Sequence, residues 1–185
     1  MGKLLLAVVG FMFITLQTAA AESSERISEM KVLDRWVGSW TSNLVAKPSA
    51  WILGGMQRVE TKKVDWILDY QFQQATIRST GDHGMPFPMG DEESREIHRY
   101  DPKSKTYQKW TFNSKGESSF WSGSWNQKTK KMTWKLEFVE GVLKGKMEDH
   151  FLKPGKYETT LVLEDMRGTV LVDVHVRHIR VSETN

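Results

Sequence analysis

The feature that most constrains the fold is an alternation of apolar and polar side chains that recurs along the chain after residue 38. It is clearest where Met132, Trp134 and Leu136 alternate with polar neighbours, because successive side chains of a strand point to opposite faces of a sheet. Segments of this kind predict ten strands, near residues 39–46, 57–68, 70–79, 94–101, 106–113, 117–126, 131–139, 143–152, 156–164 and 170–181. No second helical pattern of useful length interrupts them, which argues against a parallel sheet. The sequence therefore predicts an all-β fold.

The connections between the predicted strands are short, and two of them look like copies of one hairpin. Residues 100–107 and 125–132 each place Asp101 or Asn126 after an aromatic residue and before a basic tip. Asp and Asn side chains fold back onto the backbone of a tight turn. Consecutive hairpins make an up-and-down meander, and an antiparallel meander leaves two unpaired edges unless it closes. We therefore expect a closed barrel of about ten antiparallel strands.

Two segments depart from this alternation. A short N-terminal helix is predicted over residues 25–37, ended by Gly38, because apolar residues recur there at helical spacing. Its apolar stripe consists of Ile27, Met30, Leu33 and Val37. Such a helix fits a lid or plug across one barrel end, with a partner-binding helix as the alternative. Residues 80–93 are too long and irregular for a hairpin, and they predict either a flap over the barrel mouth or a mobile surface loop.

The first 21 residues have the features of a signal peptide. Lys3 precedes an apolar run over residues 4–16, and Ala19-Ala20-Ala21 supplies small side chains for cleavage. The run is shorter than the about 20 residues that span a bilayer, and an uncleaved anchor is the alternative. We expect residues 22–185 to form one barrel domain that is periplasmic or secreted, with no stable membrane insertion after cleavage.

The composition narrows the classes of function. The chain has no cysteine, which excludes thiol chemistry, thiolate metal sites and disulfides. Its net charge of +3 comes from interspersed Lys and Glu rather than a basic stripe, so we expect no nucleic-acid partner. The motifs of α/β-hydrolases, zinc metalloproteases and phosphate-binding loops do not occur. The sequence thus favours a protein that is not an enzyme and needs no cofactor.

Abundant aromatic residues suggest what the barrel interior holds. The phase of the predicted strands places six rings inward, as the candidate ligand-binding residues: Trp66, Trp110, Phe112, Phe120, Trp134 and Phe138. Barrels of this size are either filled by side chains or enclose a small ligand. The rings therefore line a cavity for an apolar or aromatic molecule, or they fill the barrel and leave a ligand-free interaction module.

Few ionisable residues stand out as catalytic candidates. Glu96 and His98 are two residues apart and share one face of a strand, and we interpret the pair as facing solvent. With Asp149 they are the weak candidates for the alternative function, an isomerase or hydrolase on the same barrel. His175 and His178 are three residues apart, so they face opposite sides of the last strand and cannot form a paired metal site.

Several short motifs carry a resemblance to known proteins. They are Val37-Gly38-Ser39-Trp40, Trp66-Ile67-Leu68-Asp69, Tyr100-Asp101-Pro102, Trp110-Thr111-Phe112, Ser122-Gly123-Ser124-Trp125 and Met132-Thr133-Trp134. Together they resemble the calycin superfamily, which includes lipocalins and fatty-acid-binding proteins. Within it the chain looks like the bacterial family called domain of unknown function 1579, over most of residues 30–180.

The resemblance implies roles for a few residues. In lipocalins the Trp of the first strand packs under a basic residue of the last strand, which implies that Trp40 packs under Arg180 or Arg177. Similarity to nitrobindin-type barrels implies that His175 or His178 could ligate a haem iron. The expected function is nevertheless an exported protein that binds or carries a small hydrophobic molecule, without catalysis.

Overall fold

Ten antiparallel strands follow one another around a closed barrel in the computed structural model, which describes residues 26–80, 92–139 and 143–181. The strands are β1 (Gly38–Ala46), β2 (Met56–Ile67), β3 (Phe72–Thr80), β4 (Glu92–Asp101), β5 (Thr106–Asn113), β6 (Ser118–Asn126), β7 (Lys131–Val139), β8 (Leu143–Lys153), β9 (Lys156–Asp165) and β10 (Val170–Arg180). Each strand pairs with its neighbours in sequence, and β1 pairs with β10 to close the barrel. The expected fold class is confirmed.

The strand boundaries follow the predicted ones closely, and the main difference has a local cause. Three successive residues before β3, namely Leu68, Asp69 and Tyr70, have positive φ angles of 50°, 51° and 62°. A left-handed backbone cannot continue a strand, so β3 starts at Phe72 rather than at Tyr70. The β2–β3 connection is therefore a wider turn than the sequence predicts.

The two hairpins with similar sequences have the same type of turn. Asp101 Oδ1 accepts a hydrogen bond from the backbone N–H of Lys103 at 3.2 Å, and Asn126 Oδ1 accepts one from that of Lys128 at 3.0 Å. The turns end on Lys105 and Lys130, both left-handed with φ angles of 56° and 53°. Equivalent side chains therefore close both reversals, at the same end of the barrel.

The N-terminal helix is shorter and tighter than predicted. An α-helical turn, α1 (Ser28–Val32), continues into the 3₁₀ turn Leu33–Arg35. The buried side chains are Met30, Leu33 and Trp36, whereas Ile27 is exposed. Their spacing of three is the period of a 3₁₀ helix, which explains why Trp36 and not Val37 completes the apolar stripe.

This segment covers one end of the barrel, and we call it the plug (residues 28–36). Gln73 Nε2 donates to the carbonyl of Leu33 at 2.6 Å, and Tyr107 Oη donates to the carbonyl of Glu29 at 3.1 Å. The Trp36 ring meets Phe151 edge to face, with ring centroids 4.7 Å apart. The plug is thus attached to β3, β5 and β8 and closes the barrel end at which β10 terminates.

Two sequence predictions fall outside the described residues. They are the signal peptide over residues 1–21 and most of the segment predicted as a flap, of which the described part, Thr80, Glu92 and Glu93, belongs to β3 and β4. Within the described ranges, neither helical turn is long and apolar enough to cross a membrane.

Gly123 leaves room for a completely buried tryptophan of the barrel wall, Trp134. A Cβ atom built at Gly123 would lie 2.5 Å from Cε3 of Trp134, its partner across β6 and β7. Replacing Gly123 by Ala should therefore lower the free energy of unfolding by about 1–3 kcal/mol, as overpacking does in cores. Urea unfolding followed by tryptophan fluorescence measures this change.

Ser124→Ala provides the matched control for Gly123→Ala, because Ser124 is the next residue of β6 and is exposed. A surface change of this kind should alter stability by less than about 0.5 kcal/mol. Equal midpoints for the two variants would contradict the close packing of Trp134 on Gly123.

Candidate functional site

The barrel interior is more polar than its aromatic sequence predicts. Acidic, basic and imidazole side chains with low solvent exposure point inward among the apolar residues; in the described part of the chain they are Lys62, Glu96, His98, Lys109, Asp149 and His178. They come from strands β2, β4, β5, β8 and β10. Since buried charges are costly unless paired, the contacts among these side chains determine what the interior can bind.

Glu96 is the centre of the charged group. Lys62 Nζ donates to Glu96 Oε2 at 2.7 Å, and Lys109 Nζ lies 3.7 Å from Glu96 Oε1. The Lys109 ammonium also lies 4.8 Å from the centroid of the Trp134 ring, within the range of a cation–π interaction. With His98, whose Nε2 is 3.2 Å from Glu96 Oε2, these residues form what we call the Glu96 cluster.

The protonation states of the Glu96 cluster follow from burial and charge pairing. Burial raises the pKa of Glu96, but the Lys109 and Lys62 ammonium groups outweigh it and hold that pKa well below its usual range. Burial likewise lowers the pKa of Lys62, and Glu96 more than compensates, so this pKa is raised. Burial lowers the pKa of His98. At neutral pH the cluster therefore combines two cations, one carboxylate and a neutral imidazole.

A second polar group, a chain of hydrogen bonds, spans β1, β10, β9, β8 and β7. Ser42 Oγ is 2.6 Å from His178 Nδ1, and His178 Nε2 is 3.0 Å from Thr159 Oγ1. Thr159 Oγ1 donates to Asp149 Oδ1, while Trp134 Nε1 donates to Asp149 Oδ2 at 2.9 Å. Because the carboxylate only accepts, the Thr159 hydroxyl must accept from His178 Nε2–H, and Ser42 then donates to Nδ1.

The imidazole of His178 is held neutral in this chain. Tyr157 stacks on it with ring centroids 3.9 Å apart. Burial, followed by the positive charge of Lys62, lowers the pKa of His178 to about 2. His178 therefore acts as a neutral hydrogen-bonding group throughout the physiological range of pH.

Some buried polar atoms have no hydrogen-bond partner among the described residues. They are Gln73 Oε1, both ring nitrogens of His98, and Tyr157 Oη. The short distance between His98 and Glu96 does not have the direction of a hydrogen bond. Buried polar groups are normally satisfied, so these atoms are exceptions, and none of the three residues lines the cavity described next.

The half of the barrel away from the plug contains a cavity that reaches the Glu96 cluster. Its volume is about 310 Å³. It is lined by Glu92, Ser94, Glu96, Thr111, Phe112, Asn113, Glu117, Ser118 and Ser119. The wall formed by β4, β5 and β6 is thus polar at this end.

The opposite wall of the same half is apolar. Its inward residues on β1, β9 and β10 are Leu44, Ala46, Leu161, Val174 and Val176. Val174 and Val176 are directly opposite Ala46 and Leu44 across the β1–β10 pair. The open half of the barrel therefore presents one polar wall and one apolar wall.

The aromatic residues predicted to face inward lie in different environments. Trp134 is completely buried inside the barrel, and Trp66 lies at the plug, where its Nε1 donates to Asp34 Oδ1 at 2.9 Å. The strand phase predicted for three others, Trp110, Phe112 and Phe120, is wrong. The side chain of Phe138 lies outside the described residues.

Neighbouring residues explain this error in phase. Lys109 and Trp121 are buried and directly opposite each other on β5 and β6, so the adjacent Trp110 and Phe120 point outward. Their rings pack together on the outer surface at a centroid distance of 5.1 Å. Phe112 is two residues further along β5 and 46% exposed, and it borders the cavity only near the open end of the barrel. The lysine occupies the inward position because Glu96 is there to pair with it.

The weak catalytic candidates all lie inside the barrel. The interpretation of Glu96 and His98 as a solvent-facing pair is wrong, because they are only 9% and 1% exposed. Asp149 belongs to the other polar group, the hydrogen-bond chain through His178. Sequence reasoning missed Lys62 and Lys109, since isolated lysines in strands are ordinarily solvent-facing.

The residues predicted to close the barrel or to bind iron lie on different faces of the barrel. The Arg180 guanidinium lies 4.6 Å from the Trp40 ring centroid, on the residue directly opposite Trp40 in β1–β10. Arg177 and His175 lie on the outer face instead, 3.4 Å and 3.5 Å from carboxylate oxygens of Glu158. His178 faces inward, but both of its ring nitrogens are already hydrogen-bonded.

Comparison with known proteins supports the fold. No family model matches the sequence, and no curated protein matches it. Among solved structures, Rv2717c from M. tuberculosis matches with a TM-score of 0.62 and 10% identity, over 84% of this chain and 99% of that one. The S-type phycobiliprotein lyase CPES from Guillardia theta matches with a TM-score of 0.60 and 10% identity, over 86% and 96%. Both likenesses are to the fold, a closed barrel of ten antiparallel strands.

The buried histidine makes stability depend on pH. The unfolded chain protonates this ring below its ordinary pKa of about 6.5, whereas folded His178 stays neutral down to about 2. His178 should therefore make the free energy of unfolding fall on acidification below about pH 6.5, and its contribution is up to about 1.4 kcal/mol per pH unit. His178→Gln should remove this contribution, so that the unfolding free energy changes less steeply with pH. Urea unfolding from about pH 6.5 to pH 4 measures the difference.

His175→Gln is the control for this experiment, because it removes a histidine from the outer face of the same strand. The slope should be steeper in this control than in His178→Gln, because the control keeps the buried ring. The slope in His178→Gln is reduced but not abolished, since the pKa of His98 is lowered in the same direction. Identical slopes in all three proteins would contradict a buried, neutral His178.

Proposed function

We propose that this protein binds and carries a small molecule in the open half of its barrel, without covalent chemistry. The observation that carries the proposal is the polar cavity of about 310 Å³ that ends on Glu96, on the side of the barrel opposite the apolar residues of β1, β9 and β10. Ligand sites are commonly apolar cavities with a few placed polar groups that fix orientation. The geometry fits that description.

The apolar wall gives the ligand an apolar body. Leu161 and Val176 lie on the inner faces of neighbouring strands and contribute to an apolar surface that continues to Ala46. Removing apolar ligand surface from water here contributes about 25 cal/mol per Å². A flat or chain-like apolar molecule would be held by this wall.

The polar wall gives the ligand a polar group and an orientation. Serine and threonine hydroxyls lead from the open end to the carboxylate of Glu96, behind which lie the ammonium groups of Lys62 and Lys109. A polar group of the ligand would interact with these side chains while its apolar body packs on β1, β9 and β10. The proposed ligand is therefore amphipathic, rather than purely apolar as the sequence suggests.

An acid–base enzyme is the second candidate, because Glu96 and His98 meet inside the barrel. General bases work best when their pKa is near the operating pH. The lysines hold the pKa of Glu96 well below its ordinary value, and burial lowers the pKa of His98. These shifts weaken both groups as bases, and they support binding over catalysis.

The proposal extends to family and location. We infer membership of the domain of unknown function 1579 family from the motifs around Trp40, Tyr100 and Trp134, and a periplasmic or secreted location from residues 1–21. One structure that shares the fold is named as a phycobiliprotein lyase, which is in keeping with a small-molecule site on this architecture. Haem ligation by His178 would require breaking its bond to Ser42 or Thr159, so we propose no haem.

Nile red, an uncharged dye with a fused aromatic body and polar carbonyl and amine groups, provides a direct test, because a cavity lined by Glu92, Glu96 and Glu117 would repel an anionic dye. The mature chain should bind it saturably, with an increase in dye fluorescence. Leu161→Trp places a bulky ring on the inner face of β9 and should weaken binding by about tenfold or more, which corresponds to about 1.4 kcal/mol. Val162→Trp adds the same ring on the adjacent, outward position and should bind the dye like the wild type.

Thermal unfolding of both variants establishes that they are folded before the titrations are compared. Equal affinity of Leu161→Trp and Val162→Trp would place the dye outside the barrel and contradict the proposal. Native mass spectrometry of the protein purified from its host adds a second readout, in which a bound small molecule should be lost from the Leu161→Trp variant alone.

A further inference from the structure

A second cleft lies at the other end of the barrel, on the outer side of the plug. Its volume is about 420 Å³. It is lined by Arg35, Trp40, Lys130, Phe151, Lys153, Pro154, Gly155 and Arg180. Four of these residues are cationic and none is acidic. We call this site the plug cleft.

Aromatic rings hold the two arginines of the plug cleft in place. The Arg180 guanidinium stacks on Trp40 at 4.6 Å, and that of Arg35 lies 4.8 Å from the Trp125 ring centroid. Arg180 Nη2 also donates to the carbonyl of Arg35 at 3.2 Å. Two guanidinium groups are thereby fixed near each other before any ligand binds, which lowers the entropic cost of binding.

The two lysines come from the ends of neighbouring hairpins. Lys130 closes the β6–β7 turn, and its carbonyl accepts a hydrogen bond from the N–H of Phe151 at 3.0 Å. Lys153 ends β8, beside the turn at Pro154 and Gly155. Both side chains are exposed, so they can turn toward a ligand in the cleft.

The four cations of the plug cleft lie together with no acidic partner among the described residues. None of the four forms a salt bridge within the described part of the chain, whereas elsewhere Arg26 pairs with Asp34 at 2.6 Å and Lys47 with Asp173 at 2.7 Å. Neighbouring like charges repel, and a concave site lined by one sign of charge attracts the opposite ion. The cleft is therefore complementary to a multiply charged anion.

We propose that the plug cleft binds a phosphate-bearing ligand, independently of the molecule carried inside the barrel. Guanidinium groups match phosphate oxygens with paired hydrogen bonds, and lysines add point charges. A diphosphate or phosphate ester supplies the multiple negative charge that four cations require. The buried rings of Trp36, Trp40 and Phe151 separate this cleft from the interior cavity.

Titration with inorganic pyrophosphate tests the proposal, with calorimetry or NMR chemical shifts as the readout. The wild type should bind saturably, with an affinity that falls as salt is added. Lys130→Gln with Lys153→Gln should weaken binding by about tenfold, as expected for the loss of two exposed ion pairs. The control replaces Lys103 and Lys128 by Gln, because these lysines lie in hairpins at the same end but do not line the cleft.

The control pair separates a specific site from general electrostatic attraction. Equal loss of affinity in both double variants would overturn the proposal. Binding of the uncharged dye Nile red inside the barrel should remain unchanged in the Lys130 and Lys153 variant, which keeps the two proposed sites distinguishable.

The phosphate can come from a soluble molecule or from a lipid headgroup, and sedimentation with vesicles distinguishes these sources. Phosphatidylglycerol vesicles that capture the wild type but not the Lys130 and Lys153 variant, with no pyrophosphate binding, identify a lipid headgroup. Pyrophosphate binding without vesicle capture identifies a soluble ligand. Failure of the wild type to bind either probe contradicts the inference.

Discussion

The buried interaction of Glu96 with Lys62 and Lys109 constrains the rest of this barrel. Three charges from β2, β4 and β5 meet inside the wall, and each is tolerable only because the others are present. A slip of one residue in any of these strands would turn one charge outward and leave its partners unpaired in the interior. The charged cluster therefore specifies strand register more strictly than apolar contacts alone would, since apolar side chains can be exchanged within a core at little cost.

The same cluster divides the interior into two halves with different roles. On the plug side, Trp36, Phe151 and Tyr157 pack edge to face and in stacks, with centroid distances of 4.7 Å and 5.1 Å. That half is a filled core. On the other side the lining becomes polar on one wall and apolar on the opposite one, and the cavity ends on Glu96. The proposed ligand could therefore enter the barrel only as far as the ion pair of Glu96 with Lys62.

The fold was largely predictable from the sequence, because the signals for strands and turns are local. The alternation around Trp134 and the Asx turns at Asp101 and Asn126 each depend on a few neighbouring residues. The site depends on contacts across strands, which no local pattern contains. Lys109 faces inward because Glu96 is within reach on β4, and that choice forces the bulkier Trp110 outward. A prediction that places the larger apolar residues inside therefore assigns Lys109 and Trp110 to the wrong faces of β5.

Trp40 connects the plug, the plug cleft and the interior hydrogen-bond chain. Its indole N–H donates to the carbonyl of Trp36 at 2.7 Å, which attaches β1 to the plug. One side of its ring supports Arg180 in the plug cleft, and another meets Tyr157 edge to face at 4.9 Å. Tyr157 in turn stacks on His178 of the interior hydrogen-bond chain. Close-packed rings therefore separate the two proposed sites from each other. Two chemically different ligands could for this reason bind to one small barrel.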